Sequence, residues 1–149
     1  MTRRQTLYGL PIAVAAMLTF ALARAWAADQ EFLGQLDPVA FDNSTRANVV
    51  GIGNISAVLV GSTLIVSGRF SELASPAVAA QLRMGLAMGV PGPVIGKLTV
   101  AHAISGEIAG KVKLSAAQIA ALHENAVYVQ LDSVKAPDGN LWGWLEAVQ

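Results

Sequence analysis

The chain lacks cysteine throughout its 149 residues, which excludes disulfides, a thiolate nucleophile and cysteine-based metal sites. Charged residues are few, at 13%, and they balance to a formal net charge of zero. No basic cluster stands out in the sequence, so nucleic acid and anionic membranes are poor candidate partners. The domain must therefore be held together by burial of its apolar residues.

Histidine is also scarce, since only His102 and His123 are present. Neither lies at ligand spacing from a carboxylate or from the other histidine, so we expect surface positions for both. Nucleophile-elbow and phosphate-loop motifs are missing. We predict a protein that is not an enzyme, with no cofactor and no metal. A hydrolase remains the least favoured alternative, because the members of a Ser/His/Asp triad need not be adjacent in sequence.

The first 27 residues have the pattern of an export signal. Arg3 and Arg4 precede an uncharged apolar stretch at residues 10–23, and Ala25 and Ala27 are small residues where a signal peptidase reads them. A membrane anchor is less favoured, because a spanning helix needs about 20 apolar residues. The paired arginines also resemble a twin-arginine signal, which leaves the export route open. We expect a periplasmic or secreted protein without a transmembrane span after cleavage.

Cleavage after Ala27 would leave residues 28–149 as a single domain. The signal contains three of the ten basic residues and none of the ten acidic ones, so the domain would have a net charge of −3. Alternation of apolar and polar residues between turn residues predicts an all-β fold, an antiparallel sandwich or barrel of about seven strands. The strand segments are residues 32–36, 49–60, 63–70, 78–84, 94–101, 104–114, 127–132 and 141–145.

One short helix is predicted before the last hairpin. Ser115 is the expected N-cap, and Gln118 lies three residues later, at the spacing of a capping box. Asn125 can adopt the left-handed conformation that ends a helix.

The last hairpin is the most informative segment, with a turn predicted at Pro137-Asp138-Gly139. Alternation places an aliphatic row inside: Val127, Val129, Leu131, Leu141 and Leu145. The opposite face carries Tyr128, Trp142 and Trp144. Because rings on a face that should be polar indicate a contact surface, we predict a docking site there. A loop that covers the rings within the monomer is the alternative.

Four polar residues are expected to share the outer face with these rings: Gln81, Arg83, Gln130 and Asp132. We predict that Arg83 and Asp132 pair across strands. Residues 85–93 form an apolar loop that is either folded under the sheet or part of the interface.

Several segments follow the order and spacing of residues in a known family: residues 63–70 with Leu73, 92–95, 105–114, 128–129 and 137–139 with Gly143 and Leu145. Through these segments, most of the domain resembles the CHRD (chordin-type) family. The resemblance implies a secreted β-sandwich module without established catalytic activity. Histidines that are usual in the family are replaced here by Gln81, Arg83 and Asp132, so the resemblance implies no histidine-based site.

These features together indicate a non-catalytic exported binding or accessory module. We expect a small subunit that docks onto another exported protein or a larger periplasmic or membrane-attached complex, such as an oxidoreductase. The alternative is a ligand- or metal-binding β-sandwich protein of the periplasm.

Overall fold

A computed structural model describes residues 29–149, and the predicted export signal lies outside this range. The described chain forms nine strands and one helix. In chain order these are β1 Gln30–Pro38, β2 Ile52–Val60, β3 Thr63–Ser71, β4 Ala77–Met84, β5 Val94–Val100, β6 Gly106–Lys113, α1 Ala116–His123, β7 Val127–Ser133, β8 Ala136–Trp144 and β9 Glu146–Ala147. Within residues 29–149, no helix has the length and apolar character needed to cross a membrane.

The first eight strands close into an antiparallel barrel in the order β1-β2-β3-β6-β5-β4-β7-β8, and β8 returns to β1. Strand β9 continues the line of β8 along β1, with the same pairing register. The all-β prediction is confirmed, but the expected number of about seven strands is wrong. The short β9 carries no alternation signal, because it has only two residues and both are exposed.

One core fills the barrel, since all five aliphatic residues predicted for the inner face of the last hairpin are fully buried. Gly53 of β2 and Gly68 of β3 stand in line with the buried residues of their strands. A Cβ atom at Gly53 would lie 2.3 Å from the carbonyl oxygen of Arg69, so only glycine allows the two backbones to approach this closely.

Helix α1 confirms the predicted capping box. The Gln118 backbone N–H donates to the Ser115 hydroxyl, and the Ser115 N–H donates to the Gln118 side-chain oxygen. Asn125, just beyond the helix, has a φ of 59°, the left-handed conformation expected from the sequence. The helix buries Leu122 against the barrel.

The predicted turn at Pro137-Asp138-Gly139 is wrong. The strands β7 and β8 are joined by a tight turn at Val134 and Lys135, where Ser133 pairs with Ala136. The register then shifts before Leu131 pairs with Leu141, so the Pro-Asp-Gly segment forms a bulge inside β8. Proline and glycine are as compatible with a bulge as with a turn.

A buried polar pair ties this bulge to the long connection between β1 and β2. Asn140 is fully buried, accepts from the Ser133 hydroxyl at 2.7 Å and donates to the carbonyl oxygen of Val50 at 2.8 Å. Within the same connection, hydrogen bonds from Ser44 and Thr45 lower the pKa of the exposed Asp42 carboxyl. The Asn140 bond attaches the connection to the barrel, and the bonds to the Asp42 carboxylate shape a turn within it.

Antiparallel order places every connection at one of the two barrel ends. The first end holds the start of β1, the β2–β3 turn, the 85–93 loop and α1. The second end holds the connections 39–51, 72–76, 101–105 and 134–135.

Candidate functional site

The seven residues predicted for a docking site lie on one outer face of the barrel, across β4, β7 and β8. Two cross-strand rows build this face, because residues that pair directly lie on the same side of a sheet. The first row is Gln81, Gln130 and Trp142, and the second is Arg83, Tyr128 and Trp144. Asp132 joins them through hydrogen bonds from Gln81 and Gln130.

The three rings form a compact cluster. The ring of Tyr128 stacks on Trp144 with centroids 4.2 Å apart, and Trp142 meets both rings edge-on, at 6.0 Å from Tyr128 and 5.8 Å from Trp144. Trp142 and Trp144 are half-buried, whereas Tyr128 has 0% exposure. The expectation that Tyr128 is an outer contact is therefore corrected: it points away from the core but is covered, and it supports the two indoles.

The 85–93 loop supplies part of that cover. The Tyr128 hydroxyl accepts from the backbone N–H of Gly92 at 3.0 Å and donates to the carbonyl oxygen of the same residue at 3.3 Å. The Arg83 guanidinium donates to that carbonyl oxygen at 3.0 Å. Long-range contacts of this kind leave no mark in the local alternation pattern, so the sequence could not show them.

The predicted pair between Arg83 and Asp132 is wrong. Gln81 lies between them, accepting from Arg83 Nε at 3.3 Å and donating to Asp132 Oδ2 at 2.7 Å. The second carboxylate oxygen accepts from Gln130 Nε2 at 2.9 Å. Alternation identified the correct face but not the register, which places Arg83 opposite Tyr128 rather than opposite Asp132.

Gln130 and Asp132 are also covered, each with 7% exposure. The side-chain nitrogen of Gln130 donates to the carbonyl oxygen of Asp138 at 3.3 Å, so the bulge in β8 lies over this part of the face. The polar residues thus form a closed network beside the rings, while the two indoles present the accessible apolar area.

The tip of the 85–93 loop is exposed rather than folded under the sheet. Leu86 is 92% exposed, and Met88 and Val90 are exposed beside it. The neck is fixed, because Gly85 N–H donates to Ala126 and Met84 N–H donates to Pro93. A turn closed by a 3.1 Å bond from Val90 N–H to Ala87 shapes the tip. The loop therefore presents apolar side chains from a defined backbone.

The histidines lie at opposite ends of the barrel. His102 is exposed in the connection between β5 and β6, and His123 is exposed in α1, with its ring 5.9 Å from that of Phe32. The two cannot share one site.

A second surface feature is an open cleft of about 640 Å³ on the opposite side of the barrel, lined by both apolar and polar residues. A row of paired residues across β1, β2, β3 and β6 lines it: Gln35, Asn54, Arg69 and Glu107. Arg69 and Glu107 form an exposed ion pair at 3.1 Å. The members of this row are scattered over four strands, so the local alternation of residues does not group them.

Comparison of the chain with protein-family models, with curated proteins and with solved structures finds no match.

Proposed function

We propose that the protein is a non-catalytic, exported accessory module that docks onto another exported protein through the face of Trp142 and Trp144. A small subunit of a larger periplasmic or membrane-attached complex, for example an oxidoreductase, is the concrete form of this proposal. The likeness to the CHRD family belongs to the same proposal. The observation that carries it is the pair of half-buried indoles on an outer sheet face.

The cluster geometry supports this proposal. A tryptophan that stays partly exposed offers a large apolar area to a partner, and tryptophan is enriched among the residues that dominate binding. The stacked Tyr128 beneath the indoles limits their motion, so less side-chain entropy is lost on binding. The exposed tip at Leu86 adds a second apolar element beside the cluster, since its loop is bonded to Tyr128.

A pull-down of the tagged protein, starting at Ala28, from its own cells tests the proposal. The double variant Trp142→Ser/Trp144→Ser should lose the partner while its circular dichroism spectrum stays unchanged. Ile65→Ser is the matched control, because Ile65 is an exposed apolar residue on β3, away from the indoles. Equal recovery of the partner with the double variant would contradict the proposal.

Ligand binding is the second candidate function, and the open cleft across β1, β2, β3 and β6 favours it. Its volume of about 640 Å³ falls within the range of small-molecule sites, roughly 300–1,000 Å³. Asn54 lines this cleft and is exposed to solvent. Elemental analysis and mass spectrometry of the purified protein test this candidate. A stoichiometric metal or small molecule would favour it over docking.

A further inference from the structure

The barrel separates its charges into two halves, although its total charge is small. Five contiguous strands, β7, β8, β9, β1 and β2, contain five acidic residues and no lysine or arginine. The acidic residues are Asp132, Asp138, Glu146, Glu31 and Asp37. The other strands hold the basic residues Arg69, Arg83, Lys97, Lys111 and Lys113, with Glu107 as the single acid. Net charge computed from the sequence conceals this division.

The indoles lie in the acidic half. Trp142 pairs directly with Asp37, which is exposed, and the outward positions along β8 and β9 are Trp142, Trp144 and Glu146. The exposed Asp138 lies in the bulge over Gln130, beside the same cluster. The rim of the aromatic cluster on the β1 side is therefore negative.

Arg83 is the basic residue closest in register to the cluster, but two of its donors are engaged elsewhere. It donates to Gln81 and to the carbonyl oxygen of Gly92, which directs its guanidinium toward the 85–93 loop. Among residues 29–149, the only ion pair is that of Arg69 with Glu107, in the basic half. The carboxylates on the acidic strands form no ion pair among residues 29–149, and the basic residues of this half, Arg46 and Lys135, lie in its connections rather than on its strands. Mutual repulsion of these carboxylates disfavours the compact state.

We infer that the partner segment that covers Trp142 and Trp144 is basic, with apolar side chains that contact the indoles. The inference rests on the docking function proposed above and adds the chemistry of the partner. A cationic surface would neutralise the acidic rim, and complementary charge would raise the association rate and exclude acidic partners. Such attraction between exposed charges weakens with salt.

Tryptophan fluorescence offers a direct test, because Trp142 and Trp144 are the only tryptophans in a protein starting at Ala28. The probes are two synthetic peptides of equal length, one alternating lysine with leucine and one alternating glutamate with leucine. The lysine peptide should change the emission saturably, and its affinity should fall about tenfold between 50 and 300 mM NaCl. Asp37→Lys should weaken the binding several-fold. The matched control Glu124→Lys, at the end of α1 and outside the strands, should not.

Three outcomes would overturn the inference: equal or tighter binding of the glutamate peptide, no response to either peptide, or binding that does not depend on salt. Sedimentation tests a second copy as the occupant, since its basic half could cover the acidic half. Self-association at low salt that protects the indoles would also overturn the inference. Loss of the natural partner by Trp142→Ser/Trp144→Ser but not by Asp37→Lys would reject the charge inference and leave the docking function standing.

Discussion

Replacing Tyr128 by phenylalanine tests whether this residue is a buried support for the two indoles or an exposed contact residue. The hydroxyl forms two hydrogen bonds with Gly92, at 3.0 Å to its nitrogen and 3.3 Å to its carbonyl oxygen. In the Tyr128→Phe variant the oxygen keeps its bond from Arg83, but the N–H loses its partner. Leaving a covered donor unpaired costs about 1–3 kcal/mol, so we expect a loss of about 1–2 kcal/mol in the free energy of unfolding.

Tyr128→Leu should cost more, because it also removes the stack with Trp144 and the edge contact with Trp142. Each aromatic pair contributes about 0.5–1.5 kcal/mol beyond its burial. Together with the lost hydrogen bond, we expect about 3 kcal/mol. If Tyr128 were an exposed residue, either substitution would lower the free energy of unfolding by less than about 0.5 kcal/mol.

Urea and thermal unfolding followed by circular dichroism measure both changes, because the signal reports the whole barrel rather than the indoles alone. Tyr128→Phe should shift the melting temperature down by roughly 3–5 °C per kcal/mol. It should also speed amide exchange within residues 86–92, since the loop loses one attachment. Wild-type stability in both variants would refute the assignment of Tyr128 as the support beneath the indoles.

Three further predictions concern glycine positions on the barrel and the 39–51 connection. Gly53→Ala should destabilise the barrel by about 2 kcal/mol, because the added Cβ meets a carbonyl oxygen. Gly61→Ala should cost only about 1 kcal/mol, because the new Cβ has no atom within 4 Å and only the left-handed backbone is unfavourable. Thermal unfolding compares the two variants. Asn140→Ala should cost about 1–3 kcal/mol, because it leaves the buried Ser133 hydroxyl and the carbonyl oxygen of Val50 without their partner. It should also open the 39–51 connection to limited proteolysis, and unchanged cleavage would contradict this. The pKa of Asp42 is lowered in the folded protein, so the carboxylate contributes to stability at pH values above its unfolded-state pKa. That contribution is lost as the pH falls through the lower folded-state pKa. Asp42→Asn should therefore reduce the acid dependence of the same proteolysis.

Local pattern was sufficient for the faces of the strands and for the helix cap. The capping box of Ser115 and Gln118 and the buried row of the last hairpin involve neighbours in sequence, and both were predicted correctly. The Pro-Asp-Gly segment was misplaced, because a bulge and a turn use the same residues and only the pairing with β7 distinguishes them.

For the site, too, the features set by each strand alone could be predicted from the sequence, whereas the features set by long-range contacts could not. Alternation grouped the seven residues on one face, because outward direction is a property of each strand alone. The cover over Tyr128 and the bridge through Gln81 depend on residues from separate strands and loops. The division of charge between the barrel halves depends on strand order, so it becomes visible only when β8 is placed beside β1.

The most direct test of the docking face is acrylamide quenching of tryptophan emission, measured on the protein starting at Ala28, alone and in its purified natural complex. Trp142 and Trp144 are the only tryptophans in that protein. The partner is produced with 4-fluorotryptophan in place of tryptophan, because this analogue does not fluoresce. We predict quenching in the free protein and protection in the complex. Equal quenching in both states would show that the partner binds elsewhere and would contradict the account.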